Sequence, residues 1–284
     1  MNPQASTVPI SEPRLPTSRR ILRRIKSAFF HSEFLYRLSL RWRFGRSVRE
    51  ANPSFFPAEF PNRVLESRAA WQETTQYGRR LHLPLHRSDE KNWDHLAAVH
   101  AIVQSLPRSA RVLDAGAEFY SNVLPALFVY GYRNLYGINL SFVDPARRGP
   151  IRYLPGDITR TEFSDGSFDA VTCMSVIEHG VPLHAYFREM FRVLKPGGLL
   201  ITSTDYYPEP IDTGDRMAHG APIKIFCKQE VEGMIRDAQT CGFELTGEID
   251  LDHKTRAVRW DEYDLEFTFL IFTLRKPLSS GISA

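Results

Sequence analysis

From residue 111 onward, short apolar runs rich in β-formers alternate with segments whose apolar residues recur at helical spacing. The runs fall at 111–114, 134–139, 151–154, 168–174 and 198–204, and the helical patterns near 121–131, 182–194 and 228–241. Switching between a two-residue and a 3.6-residue period marks βαβ units, whose crossover helices cover both faces of a parallel sheet. Two further runs, 243–251 and 263–274, have no helix between them and predict a hairpin-type addition at one edge. A helical stretch over Trp93–Leu106, closed by Pro107, precedes this region. The expectation is an α/β chain with a doubly wound, mostly parallel sheet.

The start of the chain is patterned differently. Residues 1–17 are rich in Pro, Ser and Thr and predict a segment without fixed structure. Residues 18–43 turn basic and aromatic, with Ile21, Ile25 and Phe29 on one helical face and Arg19, Arg20, Arg23, Arg24 and Lys26 mostly off it. Pro53, Pro57 and Pro61 then mark a linker. Residues 1–63 are therefore read as an N-terminal helical extension, and 64–284 as the domain.

Charge sharpens that division. Residues 1–50 hold eleven Lys or Arg against three Glu, a balance of +8, which leaves −5 for the rest of a chain whose net charge is +3. Two readings of 18–43 stay open: a basic amphipathic helix on an anionic membrane surface, or a terminal helix packed on the domain. No nucleic-acid-binding motif is present, and no apolar run reaches the length of a membrane span. No secretory h-region is found, and Cys173, Cys227 and Cys241 show no paired spacing. A cytoplasmic protein without a metal site is expected, peripheral on the inner membrane surface if the basic helix binds there.

In an open α/β sheet, ligands bind beyond the carboxyl ends of the strands. Those ends are Asp114–Gly116, Asn139, Asp157, Met174–Glu178 and Thr204–Tyr207. The stretches "RVLDAGA", "LYGINLS", "YLPGDIT", "FSDGSFDAVTCMSVIEH" and "MFRVLKPGGLLITSTDY" occur in this order. Together they resemble the successive motifs of class I S-adenosylmethionine-dependent methyltransferases of the small-molecule type 11 kind, over about Arg111 to Lys276. The resemblance implies a Rossmann-like, seven-stranded, mostly parallel sheet with an antiparallel edge hairpin, and S-adenosylmethionine as cofactor. It places the cofactor against Asp114, Gly116, Ala117, Asn139, Leu140, Asp157, Ile158, Met174 and Ser175.

Two positions depart from the family's pattern. Glu118 stands where a second glycine is usual, and Asn139 where a carboxylate normally grips the ribose hydroxyls. Asn accepts one hydrogen bond and donates another but lacks a charge-assisted acceptor, which predicts weaker cofactor binding.

Methyl transfer needs alignment and, for a hydroxyl acceptor, a base. His179 is the candidate base, with a structural histidine at a helix entrance as the alternative. Glu178, Tyr206 and Tyr207 are candidates to hold the acceptor, a small molecule or glycan, under the polar loop "TDYYPEPIDTGDRMAHGAPIKIF". Asp205, Asp212, Asp215 and His219 match no metal-ligand spacing. The expected activity is methyl transfer; a catalytically inactive methyltransferase-like scaffold is the alternative, and the oligomeric state is not read from the sequence.

Overall fold

The computed structural model describes residues 31–45, 60–218 and 220–278. Helix α1 (Glu33–Phe44) is capped by Ser32, whose side chain accepts from the Leu35 amide. After β1 (Arg63–Val64) come α2 (Arg68–Arg80) and α3 (Asn92–Ser105), then β2 (Arg111–Ala115) and α4 (Val123–Val129). Strands β3 (Asn134–Asn139), β4 (Ala146–Arg148), β5 (Ile151–Pro155) and β6 (Phe168–Met174) lead to α5 (Leu183–Val193) and the long β7 (Leu194–Tyr206). A small β8–β9 pair (Met217–Ala218, Ala221–Pro222) precedes α6 (Lys228–Thr240). The chain then runs through β10 (Glu244–Leu245), β11 (Val258–Trp260) and β12 (Leu265–Arg275).

The main sheet runs in the order β1-β12-β7-β6-β2-β3-β5-β4, with β10 and β11 also paired to β12. Strands β2, β3, β5, β6 and β7 are parallel, whereas β12 lies antiparallel to β7 over Leu199–Tyr206. The central strands are buried on both faces, as a parallel sheet between helix layers requires. One face packs on α3 and α4 with Leu96, Ile102, Leu127 and Phe128, and the other on α5 and α6 with Phe187, Met190, Val231 and Met234. Fully burying one such side chain contributes roughly 1.5–3 kcal/mol before entropy is counted.

The structure differs from the sequence expectation in three places. The run 243–251 pairs only at Glu244–Leu245; Gly247, at φ +97°, then turns the chain out of the ladder. The last strand is internal, with β1 and β10 beyond it. Strand β7 begins at Leu194, ahead of the expected run 198–204, and carries a bulge at Pro196–Gly198, because Phe168 pairs with Leu194 while Ala170 pairs with Leu199.

Ile21, Ile25 and Phe29 lie outside the described residues, as does most of the proline linker. The part of 18–43 that is described, α1, packs on the body. Tyr36 stacks on Phe128 with ring centroids 5.5 Å apart, and Glu33 pairs with Arg133 at 2.9 Å.

Candidate active site

The parallel strands deliver their carboxyl ends to one edge of the sheet, and polar side chains gather there. At the β2 tip, Asp114 is buried and accepts from Thr172 Oγ1 at 2.8 Å. Burial raises its carboxyl to about 6, against the opposing pull of the Thr172 hydrogen bond and His95. Gly116 sits at φ +86° and donates its amide to Ile138. A Cβ there would lie 2.4 Å from Val176 Cγ2, so the space beside this glycine is filled by a side chain from the loop after β6.

The two departures in the sequence turn out to be partners. Asn139 Nδ2 faces Gly116 O at 3.2 Å, Ala117 O at 3.1 Å and Glu118 Oε1 at 3.2 Å, while its Oδ1 accepts from the Ser141 amide. Glu118 Oε1 also accepts from Ser141 Oγ at 2.9 Å. The amide therefore laces the β2 and β3 tips together, and the carboxylate missing at residue 139 is present at residue 118. Beyond β5, Asp157 is exposed, with Oδ1 accepting from the Thr159 amide and hydroxyl; Ile158 beside it is buried. Leu140 is 78 % exposed and, with exposed Phe119, Tyr120 and Val143, gives this end of the sheet an apolar rim.

At the β6 and β7 tips lies a denser cluster. Ser175 has φ +52°, a strained conformation for a residue with a Cβ, and its Oγ accepts from Lys91 Nζ at 2.6 Å. Lys91 Nζ also lies 3.4 Å from Asp205 Oδ1 and 3.8 Å from the centre of the Phe269 ring. Asp94, buried at the start of α3, accepts from Ser203 Oγ at 2.5 Å. Met174 Sδ lies 3.7 Å from the same hydroxyl. Glu178 is 2 % exposed and accepts from Thr204 Oγ1 at 3.1 Å. Alternation along β7 puts Ser203 and Asp205 on one face and Thr204 on the other, so the cluster straddles the strand end.

Three carboxylates share one ammonium here, and the ionisations reflect it. Burial, then the nearby Asp205 charge, pushes Glu178 up to about 8. Burial acts to lower Lys91, but the Asp205, Asp94 and Glu178 carboxylates outweigh it and the net shift is upward. The cluster can therefore hold or release a proton at Glu178 near neutral pH while Lys91 stays charged.

Two other expected residues stand apart from the cluster. Tyr206 is fully buried and donates its hydroxyl to Leu251 O at 2.5 Å, and Tyr207 donates to Lys254 O at 3.2 Å. Neither hydroxyl is presented to an acceptor. His179 follows Glu178 directly and donates its backbone amide to Val176 O. Lys91 and Asp94 were not singled out in the sequence. Their signal is weak: polar residues in "DEKNWDHLAAVH" on a helix with no polar face.

Residues 113–202 match the family model described as "Methyltransferase domain". Over these residues the chain is similar to methyltransferase domains. It is 32% identical over 118 residues to a sterol 24-C-methyltransferase of Yarrowia lipolytica, covering 39% of this chain and 30% of that protein. It is 44% identical over 57 residues to a demethylmenaquinone methyltransferase of Beutenbergia cavernae, covering 20% of this chain and 24% of the relative. The match thus spans less than a third of either curated relative. The solved structure of the [4+2]-cyclase SpnF aligns with a TM-score of 0.51 at 20% identity, over 74% of this chain and 94% of that one, a likeness of fold alone.

S-adenosylmethionine is the cofactor that the sequence resemblance implies, and the donor set suits it. Carboxylates of Asp114 on β2, Glu118 in the loop after it and Asp157 beyond β5 can meet an ammonium, a ribose diol and an adenine amino group. Lys91 can meet a carboxylate. Gly116 contributes turn geometry, since Val176 fills the space beside it.

Proposed function

We propose that the chain transfers a methyl group from S-adenosylmethionine to a small-molecule acceptor with an apolar body. The carrying observation is the Lys91–Ser175–Asp205 group, half-buried at Lys91 and Ser175, next to the buried Glu178–Thr204 pair at the β6 and β7 tips, beside the cofactor-type loop. When bound, the cofactor supplies a methyl group already activated on a sulfonium sulfur. Glu178, in its ionised form, takes the acceptor's proton; Asp205 raises its basicity, and Lys91 holds the remaining charge in place. Glu118 supplies the acceptor for the ribose hydroxyls that Asn139, committed to the Gly116 and Ala117 carbonyls, does not. Asp114 and Asp157 complete the binding set, and Ile158 packs beneath the base.

The acceptor's apolar character is supported by the rim of Phe119, Tyr120, Leu140 and Val143, and by relatives named for a sterol and for demethylmenaquinone. The polar groups of the loop after β7 are engaged within the chain, which favours an apolar acceptor over a glycan. Tyr206 and Tyr207 bond to backbone carbonyls, Glu209 pairs with Lys254 at 2.6 Å, and Asp212 caps the Gly214 amide. Three free cysteines support the cytoplasm as the place of action.

A second reading, a non-catalytic scaffold, is favoured by Val176 filling the space beside Gly116. Calorimetric titration with S-adenosylhomocysteine separates the two. Saturable micromolar binding, weakened about tenfold in Glu118→Gln, supports the enzyme. No saturation up to millimolar ligand overturns it.

A further inference from the structure

Helix α1 is apolar on two opposite sides. Tyr36 and Leu40 face inward and join the core that contains Phe128. On the outer side Phe34, Leu38 and Trp42 follow one another at four-residue spacing, which aligns them in a single row. They are 72 %, 50 % and 91 % exposed. Isolated apolar residues on a surface need no explanation, but three in register, ending in a nearly bare indole, do.

The charges around this row have one sign. Arg41 and Arg43 are exposed in the last turn, while Arg37 turns inward over the Phe128 ring. The helix's one acid, Glu33, is engaged by Arg133 and Arg37. In sequence, the segment ahead of α1 adds Arg19, Arg20, Arg23, Arg24 and Lys26.

We propose that the outer face of α1 docks on an anionic lipid bilayer, with Phe34, Leu38 and Trp42 entering the headgroup–acyl boundary and the arginines meeting lipid phosphates. The row's dimensions select this occupant. The eight helical steps from Phe34 to Trp42 span about 12 Å, too short a row to anchor the roughly 1,200 Å² that a stable protein interface buries. A bilayer needs only an apolar row with cations beside it, and Trp is the side chain best suited to that boundary. The placement also bears on the active site. Tyr36 packs against Gly149, and the adjacent Arg148 donates to Phe119 O at 2.6 Å with its guanidinium over the Phe119 ring. A bilayer engaged by α1 thus lies near the apolar rim.

The test is flotation of the full chain with vesicles of phosphatidylcholine alone and with about 30% phosphatidylserine, beside the variant Phe34→Ser/Leu38→Ser/Trp42→Ser. Flotation with the anionic vesicles that falls at least about tenfold in the variant is expected. Wild-type protein that stays unbound, or a variant that floats equally well, overturns the proposal. So does a dimer in sedimentation that the variant abolishes, since a second copy would then cover the row. Quenching by brominated lipid supplies a readout in the wild-type fold: it must include a component that Trp42→Phe removes, and its absence sinks the idea. None of these results depends on the cofactor, so failure here leaves the proposed methyl transfer standing.

Discussion

Replacing Glu178 by Gln should stabilise the protein in alkaline buffer. In the fold this carboxyl is raised from 4.5 to about 8, by burial first and by Asp205 second. Between those values the native chain keeps a proton that the unfolded chain has lost, so stability falls as pH rises through the window. At about 1.4 kcal/mol per pH unit, a window of about 3.5 units amounts to on the order of 5 kcal/mol, nearly all of it incurred by pH 8. Glutamine keeps an oxygen for Thr204 Oγ1 and never ionises, while Asp205 and Asp94 still face Lys91. Urea unfolding of both proteins from pH 5 to 9 is the assay. The variant's advantage should be near its minimum at pH 5 and grow to several kcal/mol at pH 9. Parallel pH profiles, or a variant less stable than wild type at pH 9, would refute the reasoning.

The same carboxyl should appear in turnover as an ascending limb of kcat/KM with a midpoint near pH 8, and Glu178→Gln should lower the rate about 10²-fold or more. Asn139→Asp should lower stability by about 1–3 kcal/mol in denaturant titration, since it sets a carboxylate against two carbonyls and Glu118; a gain would show that those contacts are not formed. Gly116→Ala combines a +86° φ with a Cβ 2.4 Å from Val176 and should cost more than about 2 kcal/mol, with partial rescue by Val176→Ala. Tyr206→Phe should cost about 1–2 kcal/mol by orphaning Leu251 O, while leaving KM for the acceptor unchanged.

The alternation of periods was enough to locate every parallel strand of the central sheet, and most sharply β2, β6 and β7, where burial on both faces writes a near-continuous apolar run. It also marked the strand tips, and Asp114, Ser175 and Glu178 do reach the polar edge. Lys91 and Asp94 were hidden, since only the fold carries the start of α3 across to the β6 and β7 ends. Glu118 read as an obstacle because one-dimensional spacing shows that a glycine is missing, not that the Glu118 side chain folds onto Asn139 and Ser141. Tyr206 and Tyr207 misled for the complementary reason. A hydroxyl near a strand tip looks available until its partner, some 45 residues further along, is known.

The placement of β12 beside β7 governs the order in which the molecule can be made. Lys91 rests on Phe269, β7 has only β6 beside it until Leu265–Arg275 arrives, and the amide of Leu65 is held by Phe269 O. A ribosome that has released every recognisable motif up to residue 202 has therefore released a sheet with a bare inner edge and an ammonium without its aromatic seat. Pairing across some two hundred residues closes the fold last, and such long-range closure is slow. During synthesis the exposed side of β7 is the segment most open to mispairing, and the active site comes into being only when the final strand slots in.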